Sequence, residues 1–311
     1  MLGVPVYLGL VSLFLRGFLL TKHEVTEKST GSDFPLQDLA DRIGSPNGVF
    51  LFVVDALRLD FMVDHPEPLH PGRAVAYNRL STVRRLLQEQ PARTALFTFR
   101  ADPPTVTSQR LQALTTGGMP TFLDIRGNMG ASTVVEDSWP VQLAASGKRM
   151  VHMGDDTWLS LYPDVFNVSF PFDSFNTKDI HGVDNGIESH LFEEMEQPWD
   201  LFVAHFLGVD HVGHTHSAFH PLMQERLDRM DVLLAGIVMS RLPAGAALLL
   251  FGDHGMTDAG EHGGASEHET DSGLFVYRKP VVEGERDVID LVPTLSLAMG
   301  LPVPFSSLGA V

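Results

Sequence analysis

Short apolar runs recur along this chain, separated by polar loops and amphipathic stretches. Five of them have the length of a strand and contain few polar positions. They are 48–54, 94–99, 148–153, 200–206 and 246–251. Continuous apolar runs of this length are typical of central strands in a parallel sheet that is covered on both faces.

Helical periodicity fills several intervals between these runs. The clearest case is 222–242, where apolar residues recur on one face, and shorter candidates are 80–87 and 109–114. This alternation predicts an α/β fold with a doubly wound, mostly parallel sheet flanked by helices. The loops at 62–73 and 163–186 are interpreted as insertions beside the sheet.

Residues 2–20 are almost wholly apolar, with Arg16 as the only charge. A helix of about 20 apolar residues can cross a bilayer. No Lys or Arg precedes the run, so a retained anchor fits better than a cleaved signal peptide or a buried core helix. We expect a membrane anchor at 1–20, a linker at 21–47 and one catalytic domain at 48–311.

The composition of the chain limits which binding partners and which types of metal ligand are possible. The formal net charge of −17 repels nucleic-acid phosphates, so we expect no nucleic-acid partner. The absence of cysteine excludes disulfides and thiolate metal sites. Any metal must therefore be held by carboxylates and by the 14 histidines.

Each predicted strand is followed by residues with metal-binding or nucleophilic chemistry. In chain order they are Asp55, then Thr105 and Thr107, then Asp155 and Asp156, then Asp210 with His211 and His214, and last Asp253 with His254. Ligands bind at the carboxyl ends of parallel strands, so these residues should meet at one edge. One Asp there is an ordinary helix cap, but capping alone does not explain the recurrence.

Two segments have the spacing of metal sites. Asp210 and His214 occur in DHVGH, which brings both to one ion if the loop turns at Gly213. Asp253 and His254 are adjacent in FGDHGM, and His262 follows within reach of the same edge. Carboxylate and imidazole are ligands for Zn²⁺ or Mn²⁺. Polar loops or capped turns remain the alternative for each segment alone.

Together these groups can hold two divalent cations, and such a pair, about 3.5–4 Å apart, promotes displacement at phosphorus. The nucleophile is expected to be Thr105 or Thr107. Both precede a predicted helix, whose N-terminus favours anions. For either threonine, a simple helix-capping role is the alternative.

Several motifs occur in the order seen in one known family. They are VVDALRLDF (53–61), DPPTVTSQRLQALTTG (102–117), GDDTW (154–158), HFLGVDHVGH (205–214), GDHGM (252–256) and EHGG (261–264). This set resembles the luminal catalytic domain of GPI ethanolamine phosphate transferases, a branch of the alkaline phosphatase superfamily. With the closing segment 290–305, the resemblance covers residues 48–305. The segment 174–187 favours the branch that modifies the third mannose, with the second-mannose branch as the alternative.

The resemblance implies an alkaline phosphatase-like fold and assigns roles by position. Residues that match the ligands of one cation are Asp55, Asp253 and His254, and those that match the ligands of the other are Asp210, His214 and His262. Thr107 is preferred over Thr105 as nucleophile because its spacing to Gly117 matches the superfamily. Zinc is the expected metal, with manganese as the alternative.

The resemblance also implies a reaction and a location. Phosphoethanolamine would pass from phosphatidylethanolamine, through a threonine intermediate, to a mannose of the GPI-anchor precursor. The catalytic domain is expected in the lumen of the endoplasmic reticulum, attached to its membrane, with a small membrane-protein subunit as a further partner. Family members continue into a multi-spanning region, so we interpret this chain, which ends at Val311, as a fragment.

Substrate binding and modification are expected at four further positions. The ammonium of the donor needs a carboxylate or an aromatic face, and Asp155, Asp156 and Trp158 offer both, although a plain structural turn is the alternative. Asn167 begins an NVS sequon, which predicts a glycoprotein.

Other functions stay open at this point. A phosphodiesterase or phosphatase that uses water would need the same residues. Sulfatases and phosphoglycerate mutase-type isomerases share the fold, but the lack of cysteine argues against the commoner sulfatase. An inactive, metal-stabilised interaction module would not need six ligands and a hydroxyl nucleophile.

Overall fold

The computed structural model describes residues 3–18, 25–30, 46–119, 133–278, 286–287 and 291–308. Its strands are β1 (Val49–Val54), β2 (Thr94–Arg100), β3 (Met150–Asp155), β4 (Val168–Phe172), β5 (Leu201–Phe206), β6 (Ala247–Phe251), β7 (Asp271–Tyr277) and β8 (Arg286–Asp287). They form one sheet in the order β4-β3-β5-β1-β6-β7-β2-β8. The predicted α/β fold is confirmed.

Helices cover both faces of this sheet. In chain order, the α-helices of the described residues are α1 (Gly3–Phe18), α2 (Leu59–Met62), α3 (Ser81–Glu89), α4 (Thr107–Thr116), α5 (Trp139–Ala145), α6 (Thr157–Leu161), α7 (Gly182–Met195), α8 (Gly208–Thr215), α9 (Pro221–Gly236), α10 (Glu267–Thr270) and α11 (Leu291–Ala298). The described side chains of α1 pack on neither face of the sheet. A π-helical turn, Ile237–Arg241, extends α9. The helices predicted at 80–87, 109–114 and 222–242 correspond to α3, α4 and α9 with its turn.

The five predicted strands are β1, β2, β3, β5 and β6, with ends that differ by no more than two residues. β1 lies at the centre, where Val49 is level with Leu201 of β5 and with Ala247 of β6, and both pairings are parallel. The carboxyl ends of these three strands therefore lie side by side, and this edge carries the candidate site.

Three strands were missed by the sequence pattern: β4, β7 and the two-residue β8. β4 lies inside the loop interpreted as an insertion at 163–186, and it pairs with β3 as the edge strand. Its half-buried sequence includes Pro171, which suits an edge strand and weakens the strand pattern. β7 runs antiparallel between β6 and β2, so the sheet is mixed rather than wholly parallel.

Side chains of β1 divide between two apolar layers because successive residues point to opposite faces. Phe50 and Phe52 join the layer under α3, α7 and α9, and they stack on Phe202 and Phe206 of β5. Val49 and Leu51 join the layer under α4, α5 and α11. Burial on both faces explains why the central strands read as continuous apolar runs.

The N-terminal helix α1 is apolar and exposes most of its described side chains, with Val4 and Leu13 each 70% exposed. Within the described ranges, no helix has the length and hydropathy required to cross a membrane. The anchor at 1–20 therefore stays a prediction. Most of the expected linker at 21–47 lies outside the described residues, which resume there only at 25–30 and 46.

Candidate active site

The first ligand group is formed at the ends of two neighbouring strands. Asp55 follows β1, and Asp253 and His254 follow β6, so the parallel pairing of these strands brings the three side chains together. Nε2 of His254 lies 3.4 Å from a carboxylate oxygen of each aspartate. All three residues are buried.

The second group joins a helix to a distant loop. Asp210 and His214 lie one helical turn apart in α8, so they share one face, whereas the sequence suggested a loop turning at Gly213. His262 approaches from the loop that follows β6. Nε2 of His214 and of His262 lie 3.4 and 3.3 Å from the same oxygen of Asp210. The six predicted ligands therefore form two groups, each with donor atoms within 4.8 Å of one another.

Hydrogen bonds on the far side of two imidazoles fix which nitrogen faces each group. Nδ1 of His254 lies 2.9 Å from the carbonyl oxygen of Gly255, and Nδ1 of His262 lies 2.7 Å from that of Thr105. Carbonyl oxygens only accept, so Nδ1 must carry the proton in both rings. In the neutral rings, the Nε2 lone pairs then point into the groups, as a metal ligand requires.

Burial and mutual charge shift the pKa values of the first group. Burial raises the pKa of Asp55 well above its usual range, and the charge of Asp210 adds to this effect. Burial likewise raises the pKa of Asp253, aided by Asp55, and it lowers the pKa of His254. Burial therefore disfavours the charged form of all three side chains.

The second group behaves as an ion pair. Burial opposes both charges and is the largest single effect, but the close contact of His262 with Asp210 and the attraction between their charges together outweigh it. The contact and charge of Asp210 thus raise the pKa of His262 to about 9. The contact with His262, with the positive charge of the histidines, lowers the pKa of Asp210 to about 2.

Three buried carboxylate oxygens indicate that the two ligand groups could each hold a cation. Oδ1 of Asp55, Oδ1 of Asp210 and Oδ2 of Asp253 have no hydrogen-bond partner in the described part of the chain. Leaving a buried carboxylate oxygen unpaired is costly, and coordination of a cation relieves that cost. Each group offers carboxylate oxygen and imidazole nitrogen, so the residues fit two divalent cations of the zinc or manganese type.

The hydroxyl of Thr107 faces the first group. Thr107 is the first residue of α4, and its Oγ1 lies 3.3 Å from Oδ2 of Asp55 and 3.4 Å from Nε2 of His254. Thr105 is fully buried, and its hydroxyl donates to the carbonyl of Gly264 and accepts from the amide of Gly263. The geometry thus favours Thr107 as the nucleophile and gives Thr105 a role in holding the loop of His262.

Close contact between two glycines brings α8 against that loop. Gly260 has φ +90°, and a Cβ added there would lie 2.0 Å from the carbonyl oxygen of Gly213. Only glycine adopts this backbone without strain and leaves room for the neighbouring carbonyl. This contact sets the distance between Asp210 and His262.

The residues predicted to bind the substrate do not form one surface. Trp158 is 1% exposed and packs in the aromatic core, and Asp155 is also 1% exposed, with Oδ1 accepting from the amide of Thr157. Neither side chain is open to a substrate headgroup, because both lie under the surface. Asp156 is partly exposed, and its Oδ1 accepts from the hydroxyl of Ser174. Asp156 alone of the three stays a substrate-binding prediction.

Two residues at the site were missed by the sequence patterns. His205 is a buried imidazole within β5, 3.4 Å from Oδ2 of Asp55. Arg110 lies one turn after Thr107, fully buried and without a hydrogen-bond partner for its guanidinium among the described residues. Burial lowers the pKa of Arg110 to about 10, although Asp102 and Asp253 oppose the shift. A polar residue inside an apolar run was the available signal for His205.

The predicted glycosylation site lies on the surface. Asn167 is exposed just before β4, and its Oδ1 accepts a hydrogen bond from the amide of Met150. Surface exposure is compatible with the NVS sequon, and glycosylation stays a prediction.

Comparison with known proteins identifies relatives over almost the whole chain. Residues 123–268 match the family of type I phosphodiesterases and nucleotide pyrophosphatases. The chain is 42% identical to the human protein "GPI ethanolamine phosphate transferase 3, catalytic subunit" and 36% identical to GPI ethanolamine phosphate transferase 3 of Saccharomyces cerevisiae, over 97% and 96% of its length. It spans only 30% and 31% of these relatives.

Solved structures share the fold at low sequence identity. Human ectonucleotide pyrophosphatase/phosphodiesterase 5 superposes with a TM-score of 0.62 at 12% identity, covering 85% of this chain and 97% of that one. The C-terminal periplasmic domain of EcEptC from Escherichia coli, in a complex with Zn, gives a TM-score of 0.56 at 14% identity and covers 84% of each chain. Other neighbours include a member of the alkaline phosphatase superfamily, so the alkaline phosphatase-like fold is confirmed.

Proposed function

We propose that this chain, which belongs to the GPI ethanolamine phosphate transferase family, carries the domain that transfers phosphoethanolamine from phosphatidylethanolamine to a mannose of the GPI-anchor precursor. The observation that carries the proposal is the position of Thr107. Its hydroxyl lies at a helix N-terminus, within 3.4 Å of both Asp55 and His254. A hydroxyl so placed suits nucleophilic attack on an anionic phosphodiester.

In the first half-reaction, the oxygen of Thr107 attacks phosphorus and loses its proton. The bond from phosphorus to the diacylglycerol oxygen breaks, and diacylglycerol leaves after taking up a proton. Phosphoethanolamine is then esterified to Thr107. Asp55 and His254 orient the hydroxyl before attack through the two contacts of its Oγ1.

In the second half-reaction, a mannose hydroxyl attacks the same phosphorus. The bond to Thr107 breaks, the threonine hydroxyl is restored, and the acceptor carries the phosphoethanolamine. Entry of the acceptor from the side opposite the leaving group requires an open face near Asp210 and His214. His214 is the exposed member of its group, which agrees with this requirement.

The two ligand groups would hold divalent cations, with zinc expected and manganese as the alternative. Such cations supply Lewis-acid stabilisation of the charge on the attacking and leaving oxygens. One would be held by Asp55, Asp253 and His254, and the other by the remaining three ligands. Arg110 adds positive charge close to Asp253, on the helix that begins with Thr107.

Two features concern specificity. Relatives called GPI ethanolamine phosphate transferase 3 are 36–42% identical to this chain, against 31–34% for those called transferase 2, which supports the third mannose over the second as acceptor. For the donor, Asp156 is the proposed contact of the ammonium group, because it is partly exposed at the same edge of the sheet.

Location and partners follow from the family. We propose that the domain acts in the lumen of the endoplasmic reticulum and that 1–20 anchors it to the membrane. A further membrane-protein subunit is supported by the names of the human relatives, which are called catalytic subunits.

Hydrolysis is the second candidate, since residues 123–268 match a phosphodiesterase family. Both reactions would use the same nucleophile and differ only in the acceptor. Incubation with headgroup-labelled phosphatidylethanolamine and a trimannosyl GPI-type glycolipid distinguishes them. Transfer predicts label on the glycolipid, whereas hydrolysis predicts free phosphoethanolamine whether or not the glycolipid is present. Labelled phosphatidylcholine is the control donor, and absence of either product with phosphatidylethanolamine would contradict both candidates.

A further inference from the structure

His205 connects the first ligand group to the aromatic core. It is fully buried in β5, in the otherwise apolar sequence LFVAHF. On one side, the indole Nε1 of Trp158 lies 3.1 Å from its Nδ1. On the other side, its Nε2 lies 3.4 Å from Oδ2 of Asp55 and makes no hydrogen bond to any described residue.

The indole of Trp158 decides which nitrogen of His205 carries the proton. An indole N–H is a donor and has no lone pair to offer, so Nδ1 of His205 must accept. A neutral imidazole with an accepting Nδ1 carries its proton on Nε2. That proton is carried on the nitrogen that lies 3.4 Å from Oδ2 of Asp55, so a small shift of either side chain would let the carboxylate accept it.

This tautomer also settles the nature of a third cluster of possible ligands. Asp55, Asp155 and His205 have donor atoms within 4.8 Å of one another, which by distance alone is compatible with a metal ion. Nε2 is protonated, however, and Nδ1 is occupied by Trp158, so His205 has no free lone pair for a cation. The cluster is therefore a support for Asp55 and not a third metal site.

We propose that Trp158 and His205 are positioning residues that act on Asp55, an inference that builds on the proposed function. Trp158 fixes the tautomer of His205, and the Nε2–H of His205 holds Oδ2 of Asp55. The other oxygen, Oδ1, is then turned towards Nε2 of His254, 3.4 Å away, where a cation would be held. Oδ2 also accepts from Thr107, so when that hydroxyl gives up its proton in the reaction, His205 is the donor that remains.

The expected effect is on metal affinity and not on substrate contact. Partners that orient metal ligands typically contribute about 10–100-fold in metal affinity. Trp158→Phe keeps an aromatic ring in the core but removes the N–H. We expect the proton of His205 to move to Nδ1, which lies 3.7 Å from Oδ2 of Asp155, and zinc affinity at the first group to fall by about 10–100-fold.

Trp139→Phe is the matched control. Trp139 is also 1% exposed, its ring lies 6.1 Å from that of Trp158, and its indole donates to the carbonyl of Leu114. This variant therefore loses an equally buried indole hydrogen bond without touching His205. We expect its His205 tautomer and its zinc affinity to match those of the wild type.

The test combines two measurements on the full chain. Nitrogen-15 NMR of labelled imidazoles, assigned through a His205→Gln variant, reports the tautomer, and competition with a chromophoric chelator reports zinc affinity. The proposal predicts the Nε2–H tautomer in the wild type and the linked loss in Trp158→Phe. The Nδ1–H tautomer in the wild type, or unchanged zinc affinity in Trp158→Phe, would overturn it.

A second pair of variants keeps the test decisive if Trp158→Phe does not fold. The side-chain amide of His205→Gln can still donate to Asp55, whereas His205→Leu cannot, so zinc affinity should be largely kept in the first and lost in the second. Equal affinities would count against the proposal. Neither readout requires transferase activity, so a wild type that binds zinc as expected but transfers nothing would reject the proposed function alone.

Discussion

The Nε2 atoms of His214 and His262 lie 2.9 Å apart, and each lies within 3.4 Å of Oδ1 of Asp210. Nδ1 of His262 donates to the carbonyl of Thr105, so in the neutral ring its Nε2 carries a lone pair that faces His214. Two such nitrogens repel each other unless a proton or a cation lies between them. Despite burial, the neighbouring Asp210 raises the pKa of His262 to about 9, which favours a proton in this position when no metal is bound, and a divalent cation can replace it.

Metal binding at this group should therefore depend on pH. A cation must displace the proton of His262, whose pKa is raised to about 9, so apparent zinc affinity should rise by about tenfold per pH unit as the pH increases towards that value. Competition titrations at a series of pH values measure the slope. His262→Gln has no such proton and should show a shallower dependence, and equal slopes in the two proteins would contradict this account.

The two groups should lose metal separately. Elemental analysis of the wild type should find two cations per chain, and Asp253→Asn and His214→Gln should each lose one, because each variant removes a ligand from only one group. His216→Gln is the control, since His216 stacks on His220 outside both groups. Two cations retained in both variants would mean that the metal is held elsewhere.

Substitutions of Thr107 and Thr105 should have different effects, the first on catalysis and the second on stability. Thr107→Val should lower kcat by a factor on the order of 10³ or more, because the nucleophile is gone, while Thr107→Ser should retain measurable activity. Thr105→Val should instead lower the free energy of unfolding by about 1–3 kcal/mol, because it leaves the backbone of Gly263 and Gly264 unpaired. Turnover assays and denaturant unfolding on the three variants measure these effects, and loss of activity in Thr105→Val with full stability would reverse the assignment.

A side chain at Gly260 should disrupt the close contact between α8 and the loop that carries His262. Gly260→Ala places a Cβ 2.0 Å from the carbonyl of Gly213 and also strains the backbone at φ +90°. Gly147→Ala, at φ +74° with no atom within 4 Å of the added Cβ, shares the strain but not the clash, and should cost only about 1–2 kcal/mol. Thermal unfolding should show a clearly larger loss for Gly260→Ala, accompanied by weaker zinc binding. Equal losses would show that the contact is unimportant.

Much of the fold and of the site's placement was predictable from sequence because buried parallel strands produce apolar runs. Where such a run ends in Asp55 or Asp253, chain direction alone places the carboxylate at the carboxyl edge of the sheet. The same reasoning failed for β4 and β7. β4 is a half-buried edge strand with a proline, and β7 begins with the polar residues Asp271 and Ser272, which leaves a run of only four large apolar residues at 274–277.

Burial of individual polar residues could not be predicted from position alone. Trp158 follows a strand end, as a substrate-binding residue would, yet α6 turns its ring into the core. His205 lies within an apolar run, and only the three-dimensional arrangement reveals Asp55 on one side and Trp158 on the other. Chain direction determines at which edge of the sheet a residue after a strand lies. The partners of its side chain depend instead on packing between elements that are distant in sequence.

The central claim, that Thr107 is the nucleophile, is tested most directly by mass spectrometry. The zinc-loaded protein is incubated with phosphatidylethanolamine and quenched rapidly with acid, and the mass of the peptide that contains Thr107 is measured. The account predicts phosphoethanolamine attached to Thr107 in the wild type and absent from Thr107→Val. Phosphoethanolamine on Thr105 instead, or transfer that continues in Thr107→Val without any adduct, would contradict it.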